Sequence, residues 1–179
     1  VMSIGKTYKE AFQKAIRSLE TGRCGLGHVN DFDAASKDEL LRRLHTPSSE
    51  RHFLMYEALR KGASVEELHN ITKIKHWFIT QMQELVLEEE SLIANKGKLP
   101  SDAALISAKK NGFSDKYLSQ ILEIPEETIR NRRIELGCEE AWEGVHVSGT
   151  QDREYFYSTY NAEDKNPVNE DSKKIMILG

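Results

Sequence analysis

The loop around residues 25–30 contains the glycines that come nearest to a nucleotide-binding motif. Gly25 and Gly27 have the spacing of the first two glycines of a dinucleotide fingerprint, in which backbone amides approach a pyrophosphate. The third glycine is missing and a predicted helix, rather than a strand, precedes the loop. Asp31 and Asp33 would also repel a phosphate group. We therefore predict a connecting loop here and not a nucleotide site.

Residues that could ligate a metal or act as nucleophiles are present but scattered. No two of the six histidines stand four residues apart, the spacing of a helical metal site, and Cys24 and Cys138 are distant in sequence. No Gly-x-Ser-x-Gly motif marks a hydrolase. The run Glu88–Glu90 has the composition of an acid/base cluster, but consecutive helical residues point mostly outward, which predicts a solvated face. The sequence predicts no catalytic, cofactor-binding or metal-binding residue.

Residues 114–137 have the length of a helix-turn-helix unit. Two short predicted helices are joined by a tight link. The second helix carries three basic residues: Arg130, Arg132 and Arg133. Across residues 105–137, however, there are six basic and five acidic residues, so the net charge is small. Glu126 and Glu127 also occupy the first turn of the second helix, the end that a recognition helix presents to DNA. A nucleic-acid-binding module centred on residues 114–137 therefore remains only an alternative interpretation.

The overall composition is ordinary for a globular domain. The formal net charge is −4, which gives no general attraction to nucleic acid or anionic lipid, and no run of apolar residues is long enough to span a membrane. Two cysteines are too few for a disulfide framework, so we expect a cytoplasmic location. Because the chain opens with VMSIG and no initiator methionine, we expect it to be cut from a longer chain at both ends.

A long predicted helix over residues 75–95 organises the rest of the chain. Seven apolar residues recur in it at helical spacing and form one broad stripe: Phe78, Ile79, Met82, Leu85, Val86, Leu92 and Ile93. A helix of this length is roughly 30 Å long, about the width of a small domain. We therefore expect neighbouring helices to pack along its whole length.

Capping signals divide the remaining sequence into further helices. A Ser or Thr stands three residues before a Glu at Thr7, Ser36 and Ser64, the spacing of a capping box. Glycines then mark several helix ends. The predicted fold class is mainly α: a bundle-like domain of seven or eight helices, an irregular segment over residues 138–174, and a short strand at residues 175–179.

The first predicted helix shows which faces we expect to be buried. Its apolar stripe consists of Tyr8, Phe12, Ile16 and Leu19. The residues expected to face solvent are Lys9, Gln13, Lys14 and Arg17. In general we expect the charged side chains of this chain to remain in water while apolar side chains pack between helices.

Five stretches, in order along the chain, resemble the large subunit of carbamoyl phosphate synthetase. They are VMSIGKTYKEAFQKAIRSLE, SVEELHNITKIKHWFITQMQELVLEE, NGFSDKYLSQILEIPEETIRNRR, YFYSTYN and KKIMILG. The resemblance implies that the chain joins the two homologous synthetase halves of that subunit. Residues 1–5 would end the carboxyphosphate half, 6–137 would form the helical oligomerisation domain, 138–174 would connect, and 175–179 would begin the carbamoyl-phosphate half. Between Glu135 and Tyr155 the sequence departs from the family pattern.

The resemblance also implies a role for the parent protein. The family uses two ATP molecules with Mg²⁺ (or Mn²⁺) and K⁺ to convert bicarbonate and glutamine-derived ammonia into carbamoyl phosphate, which serves pyrimidine and arginine biosynthesis. The implied partners are the flanking synthetase halves, a glutaminase small subunit and further copies of the same chain. The family's catalytic residues lie outside this chain, so the resemblance implies a domain without chemistry of its own, which binds no cofactor, nucleic acid or membrane.

The aromatic stretch near the C-terminus contains the candidate docking residues. Tyr155, Phe156, Tyr157 and Tyr160 are expected to contact a synthetase half, because aromatic side chains dominate such contacts. An equally open interpretation is that these four rings cover only the domain's own core. Residues 161–174 contain little apolar surface to bury, and we expect them to be mobile.

Overall fold

Eight α-helices and a two-stranded hairpin form the part of the chain described by a computed structural model, namely residues 1–28, 32, 34–150, 154–165, 173 and 175. The helices are α1 (Tyr8–Arg17), α2 (Lys37–Leu44), α3 (Arg51–Arg60), α4 (Val65–Thr72), α5 (His76–Ile93), α6 (Asp102–Lys110), α7 (Asp115–Leu122) and α8 (Glu126–Glu135). The strands are β1 (Ala141–His146) and β2 (Glu154–Thr159). The predicted fold class, mainly α with seven or eight helices, is confirmed.

Capping chemistry determines where several helices begin. The side chains of Thr7, Ser36 and Ser64 each accept a hydrogen bond from the backbone N–H three residues later. Only Ser64 has the complete reciprocal box, because the Glu67 carboxylate also accepts from the Ser64 backbone N–H at 2.7 Å. The three predicted helix starts are therefore present, each with its own N-cap bond.

Helix α5 is the central element and packs against α1, α3, α4 and α7. Most of its predicted apolar stripe is buried, and Ile79 and Leu85 have no exposed surface. The prediction was wrong for Phe78, which is 40% exposed because its ring packs against Tyr8 and the exposed Trp77 rather than within the core. It was also wrong for Glu89, which is fully buried within the run that was expected to face water.

Helix α1 turns a partly polar face inward. Glu10 and Gln13 are buried, whereas Leu19, which was expected in the core, is 40% exposed. The Gln13 side-chain amide donates to the Asn111 carbonyl at 3.0 Å, and the Arg17 guanidinium donates to the Gly112 carbonyl. The prediction that Gln13 and Arg17 face solvent was wrong, because the turn after α6 lies against α1 and its carbonyls need donors.

The hydrophobic core is one cluster that draws residues from all eight helices. Helix α3 lies deepest, since every residue from Phe53 to Leu59 is buried. A helix that is buried on all sides must be surrounded by other elements. Tyr56 and Glu57 are therefore held in the interior with their polar groups, and those groups require partners.

The segment predicted to be irregular contains the hairpin of β1 and β2. The strands are antiparallel, with Ala141 opposite Thr159 and His146 opposite Glu154. Residues 1–5 belong to no strand or helix. Residues 176–179 of the predicted terminal strand lie outside the described residues, as do residues 166–172 and 174 of the segment that we expected to be mobile.

Candidate functional site

The four aromatic residues predicted to dock differ in exposure: two are exposed and two are half-buried. Tyr155 is 71% exposed and Phe156 is 42% exposed. Tyr157 and Tyr160 are half-buried, and their hydroxyls donate to the carboxylates of Glu143 at 3.0 Å and Glu140 at 2.9 Å. Only the first two rings are therefore free, within the described residues, to contact another body.

Trp142 belongs to the exposed group, although the sequence analysis did not select it. It is 44% exposed and lies on β1 opposite Ser158, so it shares a sheet face with Phe156, which lies opposite Gly144. The signal that would have found it is the pairing of two short runs, AWEGVH and EYFYST, across a turn that contains Gly149. We name Trp142 and Phe156 the outer hairpin face. Tyr155 is opposite Val145 and lies on the other sheet face with Glu143 and Tyr157, at the exposed end of the strands.

The inner side of the hairpin is fastened to the N-terminal segment and α1. The Lys6 ammonium forms a 2.6 Å ion pair with the Glu143 carboxylate on β1. The hydrogen bond from Lys6 lowers the pKa of Glu143. The Lys14 ammonium donates to the carbonyls of Ile4, at 3.0 Å, and of Ser158. The chain segment that enters α1 and the strand that ends the hairpin are therefore held by the same side chain.

A second set of contacts joins the residues after the hairpin to the helices. The Tyr160 ring lies 4.8 Å from the Lys109 ammonium and 5.8 Å from the Arg133 guanidinium. Both cations pair with Asp115 at 2.7 Å, and Lys109 is only 3% exposed. Burial acts to raise the pKa of the Asp115 carboxyl, but these two cations outweigh it and hold the pKa below its usual value. The ion pairs therefore serve the packing of α6, α7 and α8.

A cavity of about 250 Å³ lies where the hairpin meets these helices. Its charged lining residues are Glu10, Lys14, Arg17, Lys109, Asp115, Lys116, Glu126, Arg133 and Glu140. The two signs are nearly balanced, and Lys14, Arg17, Lys109 and Arg133 already donate to carbonyls or carboxylates of the chain itself. The cavity is therefore a polar junction between elements rather than a site selective for an anion.

The buried carboxylate of Glu89 on α5 collects ionisable groups from α3 and α7. The hydroxyls of Tyr56 and Tyr117 donate to it at 2.7 and 2.9 Å, and the Arg60 guanidinium forms an ion pair with it. Burial, followed by the Glu89 charge, raises the pKa of both tyrosines well above the usual value. The expectation that charged side chains remain in water was wrong here, because four polar groups satisfy one another inside the core.

The glycine loop that resembled a nucleotide motif covers this cluster. A Cβ at Gly25 would lie 2.7 Å from the Tyr117 ring, and a Cβ at Gly27 would overlap the Arg60 guanidinium and the Glu89 carboxylate. His28 follows, and its Nε2 lies 2.7 Å from Arg60. The glycines are needed for close approach of this loop to the helices, which gives them a structural role.

The histidines and cysteines do not assemble a metal centre in the part of the chain that the structure describes. No group of three His, Cys, Asp or Glu side chains there could hold a metal ion. The rings of His69 and His76 stack at 3.9 Å, and His76 pairs with Glu66 at 2.8 Å. Both cysteines are free thiols and half-buried.

The helix-turn-helix alternative loses most of its basic surface to internal ion pairs. Arg132 pairs with Asp102 at 2.7 Å and with Glu135 at 2.9 Å, and Arg133 pairs with Asp115. Glu126 and Glu127 stand exposed in the first turn of α8. The geometry offers no support for nucleic-acid binding. None of the described helices combines the length and apolar character that a membrane crossing needs.

Comparison with known proteins provides the family. Residues 1–137 match the family described as "Carbamoyl-phosphate synthetase large chain, oligomerisation domain". Proteins named "Carbamoyl phosphate synthase large chain" align with nearly all of the chain. The protein from Rhodopirellula baltica is 37% identical and aligns with 99% of the chain. Those from Neisseria meningitidis serogroup B and Pseudomonas putida are 38% and 36% identical, and both align with the whole chain.

The alignments cover 16–17% of each of these relatives, so the chain spans about one sixth of their length. The matched region contains all eight helices and ends at Gly137, just before the hairpin. The chain thus belongs to the carbamoyl-phosphate synthetase large-chain family, and its residues 1–137 are the oligomerisation domain.

Proposed function

We propose that this chain is a linker and self-association domain of a carbamoyl phosphate synthetase large chain, with no catalytic residues of its own. The observation that carries this proposal is the family match over residues 1–137. Within the proposal, residues 1–5 end the carboxyphosphate half, 6–137 form the domain, 138–174 connect, and 175–179 begin the carbamoyl-phosphate half. The charged clusters around Glu89 and Asp115 then serve packing, because their partners come from the chain itself.

The parent protein would be an ATP-dependent ligase that makes carbamoyl phosphate from bicarbonate and glutamine-derived ammonia. It would use ATP, Mg²⁺ or Mn²⁺, and K⁺, all held outside this domain, and it would work in the cytoplasm with a glutaminase small subunit. The names of the relatives, which are about six times as long as this chain, support carbamoyl phosphate synthesis by the parent protein. The cofactors, the small subunit and the location are what the family resemblance implies.

The outer hairpin face is the proposed contact with a flanking synthetase half. A two-stranded hairpin is marginally stable by itself, and here its inner side is already used by Lys6 and Lys14. Its other side carries Trp142 and Phe156 together, and both side chains are exposed. Aromatic side chains exposed in this way are typical of interface centres, so covering them would stabilise both the hairpin and its contact.

Two measurements test the proposal. Sedimentation of the 179-residue chain over a concentration series should show association that increases with concentration, and a monomer at every concentration would contradict self-association by this domain. Calorimetric titration with Mg-ATP should show no saturable heat. Saturable heat would contradict the proposal that this chain has no nucleotide site, and it would leave the proposed self-association unaffected.

A further inference from the structure

The buried carboxylate of Glu10 on α1 joins two segments that are far apart in the sequence. Glu10 is 1% exposed, and its Oε2 accepts a hydrogen bond from the Lys6 backbone N–H at 2.9 Å. The same oxygen accepts one from the Asn161 side-chain amide at 3.2 Å. The Lys14 ammonium, 3.7 Å from Oε1, compensates the negative charge. A single carboxylate therefore binds both the segment before α1 and the segment after β2.

The segment after β2 is packed into the helical domain. The Asn161 amide also donates to the carbonyl of Lys110, the last residue of α6, at 2.8 Å. Thr159 at the end of β2 is 1% exposed, and Ala141 at the beginning of β1 is 5% exposed. Because a two-stranded hairpin is only marginally stable in isolation, these contacts hold its conformation. The packed domain therefore continues beyond Gly137, where the family match ends.

The segment before α1 lies very close to that helix. The Ser3 hydroxyl donates to the Ala11 carbonyl at 2.6 Å. A Cβ at Gly5 would lie only 2.8 Å from the Ala11 backbone nitrogen and 3.1 Å from the Glu10 carboxylate, so this approach requires glycine. The Lys6 ion pair attaches the same segment to β1. The segment is therefore bound to both α1 and the hairpin.

Glu10 opposes separation of the two segments because its charge is buried. A carboxylate withdrawn from water is stabilised only while donors and a counter-charge remain in contact with it. Movement of the segment after β2 would remove the Asn161 donor, and movement of the segment before α1 would remove the Lys6 donor. Water that enters when one segment moves also reaches the hydrogen bond to the other, which couples the two openings.

We propose that Glu10 is a positioning residue that locks the segments 3–6 and 158–161 into one rigid joint. The hairpin is then a part of the helical domain, and the chain that enters α1 keeps a fixed direction relative to the chain that leaves β2. This inference rests on the proposed function, in which these segments lead to the two synthetase halves. The joint deepens that function, because it fixes the orientation of one half relative to the other.

Native-state hydrogen exchange of the 179-residue chain tests the joint. Asn161→Ala removes the amide that binds Glu10, and we expect the Lys6 backbone N–H to exchange at least about fivefold faster as a result. Asn70→Ala is the matched control, because its amide donates to the Glu66 carboxylate within α4 at 3.0 Å and lies outside the joint. The control should leave the Lys6 exchange rate unchanged.

Two substitutions of Glu10 separate the effect of the acceptor from that of the surrounding packing. Glu10→Ala removes both hydrogen bonds, so the Lys6 N–H should exchange faster still. Glu10→Gln keeps an acceptor oxygen at the same reach and should accelerate the exchange less than Glu10→Ala does. If Glu10→Ala does not fold, the comparison of Asn161→Ala with Asn70→Ala decides the outcome.

In the complete large chain the joint predicts a kinetic effect. Asn161→Ala should lower the kcat of carbamoyl phosphate synthesis by at least about threefold, because the two halves are no longer held in one orientation. The KM for ATP should stay within about twofold of the wild-type value, since the joint makes no contact with substrate in this proposal. Asn70→Ala should change neither constant.

Two results would overturn the proposal. Equal Lys6 exchange rates in Asn161→Ala and the wild type would mean that Glu10 does not couple the two segments. Faster exchange together with an unchanged kcat in the complete large chain would mean that the joint does not orient the halves. A wild-type large chain that makes no carbamoyl phosphate would instead contradict the proposed function, and the exchange rates would still decide whether the joint exists.

Discussion

The hydroxyl of Tyr56 on α3 donates a 2.7 Å hydrogen bond to the carboxylate of Glu89 on α5, and both residues are withdrawn from solvent. The same carboxylate oxygen accepts a hydrogen bond from Tyr117 on α7. Three helices distant in sequence are thereby joined at one charged group, and the Arg60 ion pair compensates that charge. The Glu89 cluster therefore links α3, α5 and α7 within the core, and its contribution to the free energy of unfolding can be measured.

Removing the charge of Glu89 should destabilise the domain. In Glu89→Gln the Arg60 guanidinium loses its closest anion, and we expect the free energy of unfolding in urea to fall by roughly 3 kcal/mol. Glu90→Gln is the matched control, because Glu90 is the next residue of α5 and its side chain is 47% exposed. This change should lower the free energy of unfolding by less than about 1 kcal/mol. Equal losses in the two variants would show that the buried carboxylate has no special role.

The cluster also predicts sensitivity to alkali. Burial raises the pKa of Tyr56 and Tyr117 above the ordinary value, so the folded chain holds both protons more tightly than the unfolded chain. Their contribution to stability is intact below about pH 10 and is lost as the pH rises above it, by up to about 1.4 kcal/mol per pH unit for each tyrosine. Unfolding measured between about pH 9 and pH 11 should show a shallower slope in Tyr56→Phe. Equal slopes in the wild type and in Tyr56→Phe would contradict this role of the cluster.

The loop over the cluster should not tolerate a side chain at Gly27. A methyl group there would overlap Arg60 and Glu89, and its distance from the Tyr117 hydroxyl would be only 2.7 Å. We expect Gly27→Ala to lower the free energy of unfolding by about 2 kcal/mol. Combining it with Tyr117→Phe removes one of the overlapping atoms, so the double variant should lose less stability than the sum of the two single changes. Strict additivity would contradict the proposed overlap.

Two aspartates that pair with arginines of α8 provide a comparison of buried and exposed ion pairs. The Asp115 side chain is 11% exposed and pairs with Lys109 and Arg133, whereas the Asp102 side chain is 50% exposed and pairs with Arg132. We expect Asp115→Asn to lower the free energy of unfolding in urea by about 3 kcal/mol. Asp102→Asn should lower it by less than about 1 kcal/mol.

The same pair of variants carries a pH dependence. Since the pKa of Asp115 is held below 3.8 in the folded chain, its stabilising effect is present above that pH and disappears as the pH falls below it. The wild type and Asp102→Asn should therefore both lose stability from this carboxyl as the pH falls below 3.8, and Asp115→Asn should lack that loss. Identical acid transitions in all three proteins would contradict this assignment.

The two groups of hairpin aromatics should respond differently to mutation. Trp142→Ala and Phe156→Ala are expected to change the stability of the 179-residue chain by less than about 1 kcal/mol, because both side chains are largely exposed. In the complete large chain both variants should lower the thermal midpoint if, as we propose, a synthetase half covers the outer hairpin face. Tyr160→Phe, which loses the hydrogen bond to Glu140, should instead destabilise the 179-residue chain itself. The reverse pattern would contradict the proposed docking face.

Local chemistry in the sequence determined the helices of this protein. The hydroxyls of Thr7, Ser36 and Ser64 cap the helices that they were predicted to begin, and Gly62 and Gly112 have the positive φ values expected where helices end. These features depend on bonds between residues three or four apart, which a single sequence displays directly. The resemblance to the synthetase family was likewise readable, because it rests on ordered stretches of sequence.

Tertiary structure alone decided which polar groups became buried and which aromatic rings stayed exposed. Glu89 looks like its neighbours Glu88 and Glu90 in the sequence, and only the arrival of Tyr56 and Tyr117 from other helices makes its burial favourable. Trp77 and Phe78 are as apolar as core residues, yet they stay partly exposed, whereas Ile79 in the same first turn of α5 is fully buried. Periodicity specifies a face of a helix, whereas burial also depends on which distant elements reach that face.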